Sequence, residues 1–470
     1  MNRTNSKLVL LASLAAIALP SHSQVLSLDS CVALAMKANK EIQAAQHLVN
    51  QYQNTKQSLY ANYFPNISLQ ATDAYSNLTG SSVMDISTPI GSFAAQQVQN
   101  LIPTYVDDAM RQNIANNLSN KLTPLNPEIE FKMKNVFSGG LTLEQPVFMG
   151  GKIVISNRMG KIGVRMAQMA EHLSREDVVV SVHDAYQLLV KAKEMSVVAQ
   201  KYDSLLNQIS NDVKSAMKHG MASRNDELKV IVKKNDAELK IRQAENGIRL
   251  ARMNLCQLIG LPLDTPIDTR DNEDTSVMSL VDRNAQVSNR TEYQLLELKS
   301  QLAEQKIKLE RSEYMPQLGL IVNAGVLDGM EMLGNKLFNH KFNFTVGAQL
   351  KIPLFHGFET RHKVAAAKEE LVQSRLMQED LAGKMNLDLQ QQANNVDEAQ
   401  LEVRLRERNL EQCEENLRIS RKAYSVGMEK LSELLTAQLL WQQAYADLVE
   451  SRYQAKLKMM KWRKAAGRIE

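Results

Sequence analysis

Proline and glycine are scarce, 11 and 20 in 470 residues, and aromatics make up 5%. So few helix breakers leave an Ala-, Leu-, Gln-, Glu-, Lys- and Met-rich chain that reads as mostly long helix. Three cysteines, Cys31, Cys256 and Cys413, form an odd set without C-x-x-C spacing, which excludes a disulfide framework and a zinc site. Cys31 reads as a small buried helix residue. A formal charge of only +4 argues against a nucleic-acid binder, and 44% hydrophobic with 23% charged residues is too apolar for a disordered chain. No G-x-S-x-G, no phosphate loop, no H-E-x-x-H and no histidine pair at metal spacing is present, so nothing points to an enzyme, a cofactor or a metal. The 22 methionines are scattered and fall on helical seams, which fits packing.

Long apolar runs are confined to one place. Arg3 and Lys7 precede a run from Leu8 to Leu19, and Pro20-Ser21-His22-Ser23 offers a signal-peptidase site before Gln24. No cysteine follows directly, so a lipid anchor is not expected. Beyond Gln24 nothing approaches the ~20 apolar residues of a membrane helix, so insertion would have to be by β-barrel.

The rest of the chain repeats. Leu143-Glu144-Gln145-Pro146-Val147-Phe148-Met149-Gly150 matches Leu350-Lys351-Ile352-Pro353-Leu354-Phe355-His356-Gly357 at an offset of 207, which also carries Gly220-Met221 onto Gly427-Met428. Upstream, Asn62 to Leu69 aligns with Glu313 to Leu320 at an offset of 251, so the first copy carries the longer insertion. The expected division is a signal peptide (1–23), a first repeat (24–265), a linker (266–284) and a second repeat (285–470).

Each copy changes period in the same order. Stretches 28–62 and 285–313 read as helix stopped at Pro65 or Pro316. Alternation follows, clearest where Phe342, Phe344, Val346, Ala348, Leu350 and Ile352 interleave with polar residues. Alternation alone also fits strands with one wet face on a soluble core. Helical stretches of about 65 residues come next, on the order of 100 Å at 1.5 Å per residue. The first carries a 4-3 seam from Val178 to Ala216 that slips once; the second repeats every seven residues from Leu389 to Tyr424 and returns from Leu434 to Trp462. Each copy is therefore a helical hairpin. At the turns, Gly220 and Gly427 reverse the chain, Ser223 and Asp226 or Ser432 and Glu433 begin the next helix, and Met221 and Met428 sit beside each glycine. Simple capping accounts for the Gly and Ser. An exposed Met adds an adaptable apolar contact suited to a partner helix.

This order of signal peptide, helix, Pro-led strand, loop, strand ending in P-[VL]-F-x-G, long helix, glycine tip and return helix, all twice over, resembles the TolC family of outer-membrane efflux and secretion channels across the whole mature chain. The resemblance implies a mainly α fold with β. It would be a homotrimer in which four strands per protomer close one outer-membrane β-barrel, continuous with a coiled-coil tunnel through the periplasm of a Gram-negative bacterium. Four strands alone cannot close a barrel, since the smallest have about eight. It further implies no catalysis, a periplasmic adaptor (membrane fusion) protein docking at Gly220, Met221, Ser223, Asp226, Gly427, Met428, Ser432 and Glu433, and an inner-membrane RND, ABC or MFS-type transporter.

On this reading the apolar strand faces meet outer-membrane lipid, Asn343, Thr345, Gln349, Lys351, Thr142 and Glu144 face water, and residues of roughly 73–135 and 325–341 form outer loops. Pro146 with Gly150 and Pro353 with Gly357 would end the strands and swivel the chain into the long helices. Relatives often close the tunnel with acidic residues before the second tip glycine, whereas this chain places Arg418, Arg421 and Lys422 there. Those residues are either solvated or helix-pairing charges, or Arg418 and Arg421 form a basic constriction favouring anionic cargo. Small-molecule efflux and type I protein secretion would use the same conduit. A secreted coiled-coil structural or adhesive protein would explain the heptads but not the duplicated strands.

Overall fold

The computed structural model describes residues 24–83, 112–113, 116–117, 128–270, 281–283, 285–332, 335–336 and 342–469. The signal-peptide reading of 1–23 and most of both outer loops lie outside them. The chain divides into two compact units, one of residues 57–157 with 308–364 and the other of the remainder.

The first unit is built on an antiparallel sheet. Its strands are β2 (Asn66–Val83), β3 (Glu128–Met149), β5 (Gln317–Met332) and β7 (Phe342–Lys351), in the order β2-β3-β5-β7, with the two-residue β6 (Asn335–Lys336) also on β5. Directly opposed residues share a face, so register assembles one apolar face. Ile67 opposes Leu143 and Leu69 opposes Leu141; Leu143 opposes Val322, which opposes Val346. Ile67, Leu69, Leu141, Phe344 and Val346 are all exposed. A contiguous apolar sheet face of this kind marks an interaction surface.

The strands outrun their expected ends. β2 continues to Val83, β3 begins at Glu128 and β5 reaches Met332, all inside the ranges expected as outer loops, because cross-strand pairing persists past a bulge between Tyr75 and Leu78. Pro146 does not end β3 either. It stays paired with Gly319, the ladder shifts between Pro146 and Phe148, and that bulge accommodates the missing N–H. The Gln145 amide donates to the carbonyls of Pro146 (2.8 Å) and Tyr63 (3.1 Å). The turn falls instead on Gly150 (φ +62°) and Gly151 (φ +84°). In the second repeat β7 stops at Lys351, before Pro353, and Gly357 (φ +58°) precedes the helix.

The second unit is helical. Its main elements are α1 (Leu28–Ala38), α2 (Lys40–Ala61), α3 (Lys152–Lys218), α4 (Arg224–Ile259), α5 (Thr291–Arg311), α6 (Glu359–Ser425) and α7 (Leu431–Ala465). The expected single helix over 28–62 breaks at Asn39, which is extended. Its side chain donates to Leu258 O (3.1 Å) and accepts from Glu41 N (2.9 Å), starting α2. Periodicity governs burial in the long helices. On α3, Val178, Val182, Ala185 and Leu189 are buried, Ala192 and Met195 only half-buried, and Ala199, Tyr202, Leu206, Ile209 and Val213 buried again. The loosening coincides with the slip in the 4-3 stepping. On α7, Leu434, Trp441, Leu448, Ala455 and Trp462 are all buried.

One core cluster packs Cys31, Ala35 and Ile42 against Val182, Tyr186, Leu189, Leu255, Cys256 and Ile259. Burial, and secondarily Cys256, pushes the Cys31 thiol up to about 11, so it is an inert packing residue as expected. A small parallel pair, β1 (Gln24–Leu26) with β4 (Ile267–Thr269), closes beside it. The Tyr186 hydroxyl donates to Arg270 O at 2.9 Å and Leu26 O at 3.2 Å. The linker expectation for 266–284 missed this pair, since three residues carry no readable alternation.

Candidate functional site: the paired hairpin tips

The two helical turns are copies in hydrogen bonding. The Gly220 amide bonds Met217 O (3.0 Å) and the Met221 amide Ala216 O (2.8 Å); 207 residues on, Gly427 bonds Tyr424 O (3.0 Å) and Met428 bonds Ala423 O (2.9 Å). Both glycines take left-handed φ, +72° and +79°, so each turn is a Schellman cap. Such caps usually pack the following apolar residue back onto the helix. Here Met221 is 77% and Met428 85% exposed.

The return helices start differently. Ser223 is the N-cap of α4 in a capping box: its hydroxyl accepts from Asp226 N (3.2 Å), and Asp226 Oδ2 accepts from Ser223 N (3.2 Å). Hydrogen bonds from Ser223 and then from Lys229 hold the Asp226 carboxyl below its usual range. The equivalent position in the second repeat is Lys430, which offers no side-chain cap. Ser432, expected to begin the helix as a cap, lies inside α7 because the helix starts at Leu431; its carbonyl accepts from Thr436 Oγ1 at 2.8 Å. Glu433 occupies the third helical position without a partner Ser. The second turn is braced instead by Ser420, whose hydroxyl donates to Glu429 Oε1 at 2.6 Å across nine residues. No sequence spacing signals that brace.

The tips sit side by side. Ile209 and Val213 of α3, Val230 of α4 and Leu431 and Leu434 of α7 form one core, with Leu417 and Tyr424 of α6 against it. Asp226 is close enough to Tyr424 to raise its phenol, after burial. The result is an exposed end carrying two methionines on a four-helix core. Near it, Arg418 donates through Nε to Glu415 Oε2 at 2.6 Å on its own helix, and this bond holds Glu415 below the usual carboxylate range. Arg421 has no hydrogen bond or ion pair among the described residues and is exposed. Of the remaining expected site residues, Pro146, Gly150, Pro353 and Gly357 gather at the same end of the sheet, where each β-hairpin gives way to a long helix.

Duplicated hairpins on a doubled strand pair are the decisive arrangement. Residues 286–468 match the outer membrane efflux protein family. The TolC-like resemblance read from the sequence is matched by the family model over the second repeat, and the mainly α fold with β agrees with the solved structures. Solved structures agree in fold. The outer membrane protein VceC from Vibrio cholerae superposes with a TM-score of 0.69 at 13% identity, covering 94% of this chain and 96% of its own. The Campylobacter jejuni CmeC outer membrane channel gives 0.70 at 14%, covering 97% and 91%. The open state of the Neisseria gonorrhoeae MtrE outer membrane channel gives 0.67 at 14%, covering 94% and 88%. No curated protein matches in sequence. Within the efflux protein family the match covers the second repeat, whose strands and hairpin the first repeat duplicates.

Proposed function

We propose that the chain is the outer-membrane exit duct of a tripartite efflux pump, a homotrimer passively conducting small molecules from an inner-membrane transporter and a periplasmic adaptor to the exterior. The observation that carries this reading is the four-stranded sheet in which, among the described residues, the outer edges of β2 and β7 are unpaired and the apolar face is uncovered. Unpaired edges in a membrane are untenable, so the strands must close with those of other copies. Twelve strands from three copies fall within the range of membrane barrels.

The adaptor docks on the tips, through Met221 and Met428, with Gly220 and Gly427 holding the turns and Ser223, Asp226, Ser432 and Glu433 lining them. An adaptable methionine pair on a rigid four-helix end suits a partner's helical hairpin. Arg421, unpaired beside the second tip, and Arg418, partly neutralised by Glu415, supply the basic constriction. Replacing Met221 and Met428 together by Asp tests the docking role. The expected result is loss of efflux in cells with the protein still in the outer membrane; full efflux contradicts it.

A further inference from the structure

The repeats are equivalent in strand register as well as in sequence. Subtracting 251 from the β5 number and 207 from the β7 number turns each of the ten β5·β7 pairs into an observed β2·β3 pair: Gln317 with Lys351 becomes Asn66 with Glu144, and Val326 with Phe342 becomes Tyr75 with Asn135. One further pairing, β3 with β5, joins the end of the first repeat to the start of the second. Its counterpart, β7 with β2, does not occur among the described residues; β2 pairs with β3 and β7 with β5. Because β2 and β7 run in opposite directions in this sheet, the free edge of β7 is matched to the free edge of β2 on another copy.

The swivels differ in the same way. A Cβ on Gly150 would collide with Ser312 O at 2.5 Å and Met315 Cβ at 2.6 Å, so the first swivel is covered by the residues leading into β5. At Gly357 a Cβ would meet nothing within 4 Å. Leu354 is 91% exposed, and Phe355 and Phe358 are exposed with it. The counterparts of Tyr314 and Met315 are Tyr63 and Phe64, exposed at the entry to β2. Phe358 occupies the place of Gly151 and, alone among described non-glycine residues, has positive φ, +64°. Holding a phenylalanine there costs conformational energy that glycine would not, a strain that points to a use for its ring.

We propose that Ile352–Phe358 is a latch for a second copy of this chain, zipping onto the start of that copy's β2 and closing its aromatic rings on that copy's Tyr63 and Phe64. This rests on the trimer reading and deepens it. The two offsets convert the β3·β5 ladder into the register of the seam: Thr142 with Asn323 becomes Gln349 with Thr72, Leu143 with Val322 becomes Leu350 with Ala71, and Phe148 with Leu318 becomes Phe355 with Ile67. From Gln349 to Ile352 and again at Phe355 apolar residues oppose apolar and polar oppose polar, which a one-residue slip would invert; farther along, Ala348 falls opposite Asp73. Residues 352–356, outside any strand in the single chain, become strand on assembly. Phe355 and Phe358 already pack edge to face at 5.5 Å, and Tyr63 and Phe64 both pack on Tyr60.

The test is oxidative cross-linking of the full mature chain in isolated membranes, with Gln349→Cys and Thr72→Cys in a Cys413→Ser background. The expected result is a covalent ladder of subunits, lost when Ala71→Cys, on the opposite sheet face, replaces Thr72→Cys. A trimer that does not cross-link at 349/72 overturns the register. Phe358→Gly relieves the backbone strain, yet is expected to lower the temperature at which the trimer dissociates in SDS; an unchanged or raised temperature means the rings meet lipid or water and overturns the latch. A wild-type chain that is monomeric in detergent overturns the trimer itself, a result distinguishable from both.

Discussion

Gly220 and Gly427 stand in open space, so a methyl group added there meets no neighbour. The left-handed backbone alone opposes it, and Gly427→Ala is expected to cost about 1–2 kcal/mol in denaturant unfolding. Gly467→Ala should cost more, since its Cβ must also displace Asn289 O at 2.8 Å. The unequal caps make a second prediction: Ser223→Ala loses about 1 kcal/mol, Lys430→Ala almost nothing, and Lys430→Ser gains up to about 1 by supplying the missing cap. His183 gives a pH dependence. Its Nδ1 is buried without a hydrogen-bond partner. Burial, then the nearby Arg463 and Lys456, push the imidazole down to about 4 from 6.5, against an opposing pull from Asp184. Between those values the unfolded chain binds the proton and the folded chain does not, so stability falls as pH falls from about 6.5 to about 4. His183→Asn should flatten the melting temperature across that window; an unaltered slope contradicts it.

Seams set the cost of core changes in the helices. Leu206, fully buried with Tyr202, Ala237 and Trp441, should lose about 2–5 kcal/mol as Leu206→Ala. Thermal melts by circular dichroism would show it. These helices were the most legible part of the sequence, because a seven-residue repeat sustained over about eight turns or more leaves no alternative period, and the buried Leu434, Trp441, Leu448, Ala455 and Trp462 fall where that repeat puts them. The strands were legible in their middles only. Their ends depend on a partner: Pro146 stays in β3 because β5 lies beside it, whereas Pro353, the same residue in the same motif, lies beyond the end of β7 on a free edge. The tips were legible in their glycines and methionines. Ser432 misled because a serine near a helix start caps it only at the right position, and Lys430 holds that position. Reading the 207-residue offset one residue past Gly357 would have set Phe358 against Gly151.

Among the described residues a single copy of this chain has an open sheet and an exposed apolar face, and the proposed assembly in a membrane accounts for both. The family match covers residues 286–468, the second repeat, and the register equivalence of the repeats supplies the rule by which copies would join. Cargo selectivity belongs to the assembled pore: if Arg418 and Arg421 line a constriction, changing both to Ser should shift single-channel conductance away from anions, and unchanged selectivity removes them from that role. The account as a whole stands on closure of the strands between copies. Size-exclusion chromatography with light scattering on the detergent-solubilised mature chain measures that directly. A protein mass of three chains is the predicted result; a monomer or dimer that stays in solution without detergent would contradict it.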